Sequence, residues 1–214
     1  MEIPLQNRLK KKAHVELASL QDEAVEIIYS LFPKIVFHGG TCIWRCYGGN
    51  RFSEDLDFYL AGENFEEGSL RQALEGRGLS LVKFKKTANL IFAKISSPEA
   101  QIRLEINLST KKEGLLRPYE KAGGAVMEVL CLPAEELLME KLSAYENRRL
   151  VRDLYDVCHL SRIANVHEKE AGKIKKFLQN PPKPIDEKNL KAIVYMGAVP
   201  TYEQMLEMLR GRFA

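Results

Sequence analysis

One stretch constrains this chain more than any other: His38-Gly39-Gly40-Thr41, followed shortly by Arg51-Phe52-Ser53-Glu54-Asp55-Leu56-Asp57-Phe58. Ile35 to Phe37, entered after Pro33, is a β-branched and aromatic run that reads as a strand. The two glycines then let the backbone turn sharply and approach a ligand closely. Thr41 stands where it can cap the short helix that follows, and Gly48-Gly49 where they can close it. A helix start carries bare N–H groups and partial positive charge, which favour an anion such as a phosphate. In the next strand the period of two puts Ser53, Asp55, Asp57 and Tyr59 on one face and Leu56, Phe58 and Leu60 on the other. Adjacent carboxylates repel unless a cation lies between them, and oxygen-only ligation suits Mg²⁺, which also binds phosphates. Gly-Gly alone is usually a turn, and Asp-x-Asp alone a solvated strand edge. In this order and this close together they point to a site.

Around that stretch, residues 5–32 carry apolar positions at helical spacing (Leu17, Leu20, Ala24, Ile27, Ile28, Leu31) and stop at Pro33; the basic start can form a separate helical turn. Residues 61–68 read as a loop and 69–75 as a short helix. Residues 79–86 and 90–96 read as an antiparallel hairpin in which Leu79, Leu81 and Lys83 oppose Ser80, Val82 and Phe84. Residues 101–108 give the cleanest strand, with Ile102, Leu104, Ile106 and Leu108 on one face and Arg103, Glu105 and Asn107 on the other. Residues 110–124 read as an exposed loop, 126–132 as a strand, and 134–149 as a helix entered at Pro133. A further helix over 153–160 follows a bend near Leu150. If it is continuous with the one before, Lys141, Tyr145, Arg148 and Arg152 share a face. Asp153 and Asp156 can pair with Arg149 and Arg152 at the surface. A basic helix over 165–179, a stiff Asn180-Pro181-Pro182-Lys183-Pro184 linker and helices over 186–196 and 201–210 complete the chain.

Composition excludes more than it selects. A net charge of +3 (32 basic minus 29 acidic residues) does not announce a nucleic-acid binder. Basic residues cluster at Arg8 with Lys10–Lys12, at Lys83, Lys85 and Lys86, and at Lys173, Lys175 and Lys176, which leaves room for an RNA partner. No apolar run approaches the ~18 residues of a membrane span, and the first residues lack a signal peptide's apolar segment, so a cytoplasmic location is expected. Cys42, Cys46, Cys131 and Cys158 match no zinc spacing. They read as reduced core residues, Cys42 and Cys46 four apart on one helix.

The Gly39-Gly40-Thr41 and Arg51-x-Ser53-x-Asp55-Leu56-Asp57-Phe58 elements are accompanied by Leu104-Glu105-Ile106-Asn107 and by Lys141, Arg148 and Arg152-Asp153. Together they resemble the signature of the nucleotidyltransferase superfamily, and within it the AbiEii-type toxins of toxin–antitoxin systems. The resemblance implies an α/β (α+β) fold. A small mixed sheet with flanking helices would form a catalytic domain over 1–132, and a helical C-terminal domain over 133–214 would close the cleft. It implies Mg²⁺-dependent transfer of a nucleoside monophosphate from an NTP to an acceptor hydroxyl. Asp55, Asp57 and Glu105 would hold the metal, two ions in the usual scheme, and Gly39, Gly40 and Thr41 would hold phosphates through backbone N–H groups. Ser53 would touch phosphate or the metal shell. Lys141, with Arg51 or Arg148, would neutralise the triphosphate, and Asp153 would orient base, ribose or Lys141. An RNA such as a tRNA 3′ end is the expected acceptor, with a protein hydroxyl as the alternative, and a cognate antitoxin is an expected partner. The rival classes are an NTP-binding module without catalysis and an RNA-binding or interaction protein. Mg²⁺-dependent NTP binding and pyrophosphate release separate them.

Overall fold

The computed structural model describes residues 3–62 and 65–213. The chain divides into two compact units, Met1–Gly48 with Phe52–Leu132, and Gly49–Arg51 with Pro133–Ala214. In the first, the order is α1 (Leu5–Arg8), α2 (Lys12–Leu31), β1 (Val36–His38), α3 (Gly39–Cys46), β2 (Leu56–Tyr59), α4 (Glu67–Glu75), β3 (Ser80–Lys86), β4 (Leu90–Ser96), β5 (Gln101–Asn107), β6 (Leu115–Glu120) and β7 (Val126–Cys131). The strands form one mixed sheet, β3-β4-β5-β2-β1-β7-β6, in which β2–β5 and β1–β7 are parallel and the other neighbours antiparallel. The basic start is indeed a separate turn, since Leu9 is extended between α1 and α2. Glu63 and Asn64 of the expected 61–68 loop lie outside the described residues.

Alternation does most of the building. Leu56 and Phe58 of β2, Ile91, Ala93 and Ile95 of β4, and Ile102, Leu104 and Ile106 of β5 are buried, and α2 and α4 pack on this side of the sheet. The hairpin departs from the simple alternation. A β-bulge between Leu81 and Lys83 shifts the register, so Leu81 and Phe84 turn inward and Lys83 and Lys85 outward, with Val82 left exposed. The stretch 110–124 is not wholly a loop. β6 runs through Pro118, which an edge strand tolerates because one side of it needs no ladder hydrogen bond. Tyr119 of β6 is fully buried.

A buried ion pair joins α2 to α3. Asp22 accepts from the Arg45 guanidinium, from Tyr119 Oη (3.0 Å) and from the Ala122 N–H (2.7 Å). Burial pushes the Asp22 carboxyl up from its ordinary value even with Arg45 beside it.

The second unit holds α5 (Ala134–Arg148), α6 (Val151–Ser161), α7 (Glu168–Gln179), α8 (Leu190–Ile193) and α9 (Tyr202–Phe213). The helix expected over 186–196 is shorter than that, a 3₁₀ turn leading into α8. α5 and α6 are two helices rather than one bent helix. Arg149 sits in the left-handed region (φ 53°) with its N–H on Tyr145 O, and Asp186 Oδ1 caps the Val151 N–H at 2.7 Å. Gly49–Arg51 belongs to this unit: Tyr195 N donates to Asn50 O, Tyr195 Oη donates to Gly49 O, and Arg51 bridges to Val194. Among the described residues no helix is long and apolar enough to cross a membrane.

Removing one partner of a buried ion pair strands the other charge. Asp22→Ala is therefore expected to lower unfolding free energy by roughly 3–5 kcal/mol, read from denaturant titration.

Candidate active site

β2 lies between β1 and β5, and its register fixes which polar side chains meet. Asp57 is aligned with His38 across β1 and with Glu105 across β5, so Asp57 and Glu105 are lateral neighbours on one face. Asp55, two residues before Asp57, reaches the same cluster through a bridging cation. Arg103 Nη2 lies 2.5 Å from Asp55 Oδ2, and Arg103 Nε lies 3.4 Å from Glu105 Oε1. The Asp55 and Glu105 side chains are about one-third exposed, so this is an open, solvated carboxylate face.

The glycine turn is fitted to it. Gly39 has φ +78°, and a Cβ there would lie 2.2 Å from Asp57 Oδ2, so only glycine leaves room for the carboxylate at the first residue of α3. No side-chain cap closes α3 at His38, which stacks on Tyr59 with ring centroids 3.9 Å apart. Thr41 does not cap the helix. It is fully buried and its hydroxyl donates to Asp55 O at 2.5 Å, fixing the chain that presents Asp55. Gln21 of α2 does the same one step earlier, donating to Ser53 O (2.9 Å) and Glu54 O (3.1 Å). Gly48 (φ +66°) follows the C-cap residue Tyr47 as the closing glycine.

The remaining expected site residues stand in the second unit and form a network of their own. Arg51 is buried and closes bidentately on Asp156, at 2.6 and 2.5 Å. Lys141 Nζ lies 3.3 Å from Asp156 Oδ2 and 3.8 Å from Asp153 Oδ1. Arg148 holds Asp153 bidentately at 2.7 and 2.8 Å. Both carboxylates are buried, so their partners are Arg148, Lys141 and Arg51 rather than Arg149 and Arg152 at the surface. The proposed continuous face of Lys141, Tyr145, Arg148 and Arg152 is broken at Arg149, and Tyr145 is buried with its hydroxyl on Pro182 O. Three cations, Arg51, Lys141 and Arg148, face these two carboxylates. Burial alone would raise the Asp156 carboxyl, but the charges of Arg51 and Lys141 outweigh it and hold it below its ordinary value. Arg103 and Gln21 carry no motif of their own; only the fold reveals their parts, as it does the pairing of Asp156 with Arg51.

By sequence, no curated protein matches the chain. A family model does: the nucleotidyl transferase AbiEii toxin of type IV toxin–antitoxin systems matches residues 26–211. The chain belongs to the AbiEii nucleotidyltransferase toxin family. Its fold is shared with JHP933 from Helicobacter pylori (22% identity, 94% of this chain and 90% of that one, TM-score 0.69). It is shared as well with MenT4, a nucleotidyltransferase toxin from Mycobacterium tuberculosis (17% identity, 97% and 86%, TM-score 0.59). This AbiEii protein is thus a nucleotidyltransferase, of a class that generally uses an NTP and a divalent metal and is paired with an antitoxin.

Two outcomes follow. Gly39→Ala forces a Cβ into the Asp57 carboxylate, and misplacement of a reacting group by about 1 Å costs on the order of 100-fold in rate. Its transferase activity is expected to fall by at least that much while the circular dichroism spectrum is kept. Asp156 has a depressed folded value, so its contribution to stability is present above the ordinary carboxyl value of 3.8 and is lost as pH falls through the folded value. The stability gap between wild type and Asp156→Asn should be full at neutral pH and close under acid, as read from denaturant midpoints.

Proposed function

We propose that this AbiEii protein transfers a nucleoside monophosphate from an NTP with Mg²⁺, on the sheet face formed by Asp55, Asp57 and Glu105. The observation that carries the reading is the lateral alignment of Asp57 with Glu105, with the Gly39 turn against the Asp57 carboxylate. The donor set fits Mg²⁺: three carboxylates, all oxygen, open to solvent, with the Arg103 guanidinium already occupying cationic ground between two of them. A pair of Mg²⁺ ions, when bound, supplies charge stabilisation to the attacking and leaving oxygens of the displacement.

The chain's own groups do the rest. The first N–H groups of α3, at Gly39, Gly40 and Thr41, would hold the β- and γ-phosphate oxygens, aided by the helix dipole. Ser53 contributes a contact to the phosphate or the metal shell. Arg103, 44% exposed, can swing off the carboxylates to follow phosphate charge. The match of Lys141 and Arg148 to the family's last motif supports a role for them in neutralising the polyphosphate or the departing pyrophosphate. Arg51 works through Asp156, and Asp153 orients Lys141.

For the acceptor we favour RNA. The face that carries Asp57 and Glu105 continues through Phe92 to Lys85 in the same register row, and through Arg103 and Lys94 to Lys83 in the next. Lys83 Nζ lies 5.4 Å from the Phe92 ring centroid. A cationic strand face with an aromatic ring suits a phosphate backbone with a stacked base. Of the other basic residues, Arg8 pairs with Glu120 and Lys86 donates to Phe65 O.

With α-labelled NTPs, Mg²⁺ and total RNA, label is expected in RNA, and Asp57→Asn is expected to abolish it without loss of fold. Label found only in protein would move the acceptor to a protein hydroxyl. NTP binding without pyrophosphate release would reduce the protein to a binding module. Lys83→Ala with Lys85→Ala and Lys94→Ala is expected to weaken RNA binding and flatten the slope of log K against log salt by about 2 to 3, measured by filter binding across a salt series.

A further inference from the structure

Three of the four cysteines meet inside the sheet unit. Cys42 and Cys46 stand one turn apart on α3. Cys131 ends β7, which the parallel pairing of Phe37 with Cys131 brings beside β1 and α3. The three Sγ atoms lie within 4.8 Å of one another, and all three residues are buried.

The surroundings are not those of three inert core residues. Arg117 of β6 lies over the Tyr47 ring at 4.8 Å, and its Nε is buried without a hydrogen-bond partner. The same guanidinium acts electrostatically on Cys131. Tyr29 Oη and Tyr47 Oη border the cluster but donate to Leu130 O and Leu132 O. Among the described residues no His, Asp or Glu joins the three sulfurs.

We propose that Cys42, Cys46 and Cys131 form a three-coordinate thiolate site for a soft monovalent cation, Cu(I). Thiolates select soft ions, and Zn²⁺ wants a tetrahedral set that these residues do not complete. Binding leaves the oxidation state of metal and sulfur unchanged. The thiol protons pass to solvent as the sulfurs ligate, and Arg117 offsets part of the thiolate charge. The ion ties α3 to β7, and it is separate from the transfer chemistry on the carboxylate face.

The test uses the full, reduced chain, titrated anaerobically with Cu(I) against a chromophoric competitor. One equivalent is expected per chain, with a thiolate-to-copper absorption band in the ultraviolet, a raised melting temperature and an X-ray absorption shell of three sulfurs. Cys131→Ser is expected to lower affinity by at least about 100-fold, since even outer-shell partners of a metal are worth 10–100-fold. Cys158→Ser, at the cysteine outside the cluster, should leave affinity unchanged. No retained equivalent, or a shell of one or two sulfurs in the wild-type chain, overturns the site; this readout stands even if Cys131→Ser does not fold. Zn²⁺ retained in preference to Cu(I) overturns the three-coordinate assignment.

Discussion

The placement of β2 between two partners is the constraint on which the sheet unit depends. Leu56 and Phe58 are fully buried, and a strand's period of two leaves Asp55 and Asp57 only the opposite face. A slip of one residue would bury two carboxylates and expose two large apolar side chains, so the register is held by the cost of both errors. With that register set, the parallel neighbour β5 must present Glu105 beside Asp57, and the antiparallel neighbour β1 must end at His38. The chain then has to turn within one residue next to a carboxylate, which is why Gly39 carries a positive φ and no Cβ is tolerated. Buried Gln21 and Thr41 hold the backbone that delivers Asp55 by its carbonyls, leaving its carboxylate exposed. The fold and the carboxylate face are two consequences of one alternation.

The helical unit solves a different problem. Two buried carboxylates on α6 would be costly without partners, and Arg51, Lys141 and Arg148 compensate them from three different positions in the chain. Such pairs add little net stability relative to apolar packing, but they fix which side chains face one another. Arg51 is the informative member. It lies two residues before Ser53 in sequence, yet its guanidinium is committed to α6.

Much of the site was readable because it is local. The glycine turn, the Asp55–Asp57 alternation and the polar face of residues 101–108 are periodic or contiguous signals. What was not readable required knowledge of neighbours. The bulge at Leu81–Lys83 reverses which lysines face outward, and no composition rule announces it. β6 was hidden by Pro118, whose usual meaning changes at a sheet edge. The break at Arg149 needs a left-handed residue without a glycine to mark it. The partners of Asp153 and Asp156 were misjudged because burial, not sequence proximity, selects them. The cysteine cluster spans α3 and β7, so spacing along the chain could not reveal it.

The central claim is that the face shared by Asp55, Asp57 and Glu105 holds the metal and the triphosphate. Anomalous diffraction from crystals grown with Mn²⁺ and a non-hydrolysable NTP tests it most directly. The account predicts a manganese peak in contact with both Asp57 and Glu105, with phosphate oxygens at Gly39 and Gly40 and the Arg103 guanidinium displaced from its bridge. A bound nucleotide elsewhere, with Arg103 still spanning Asp55 and Glu105 and no manganese between the carboxylates, would contradict it.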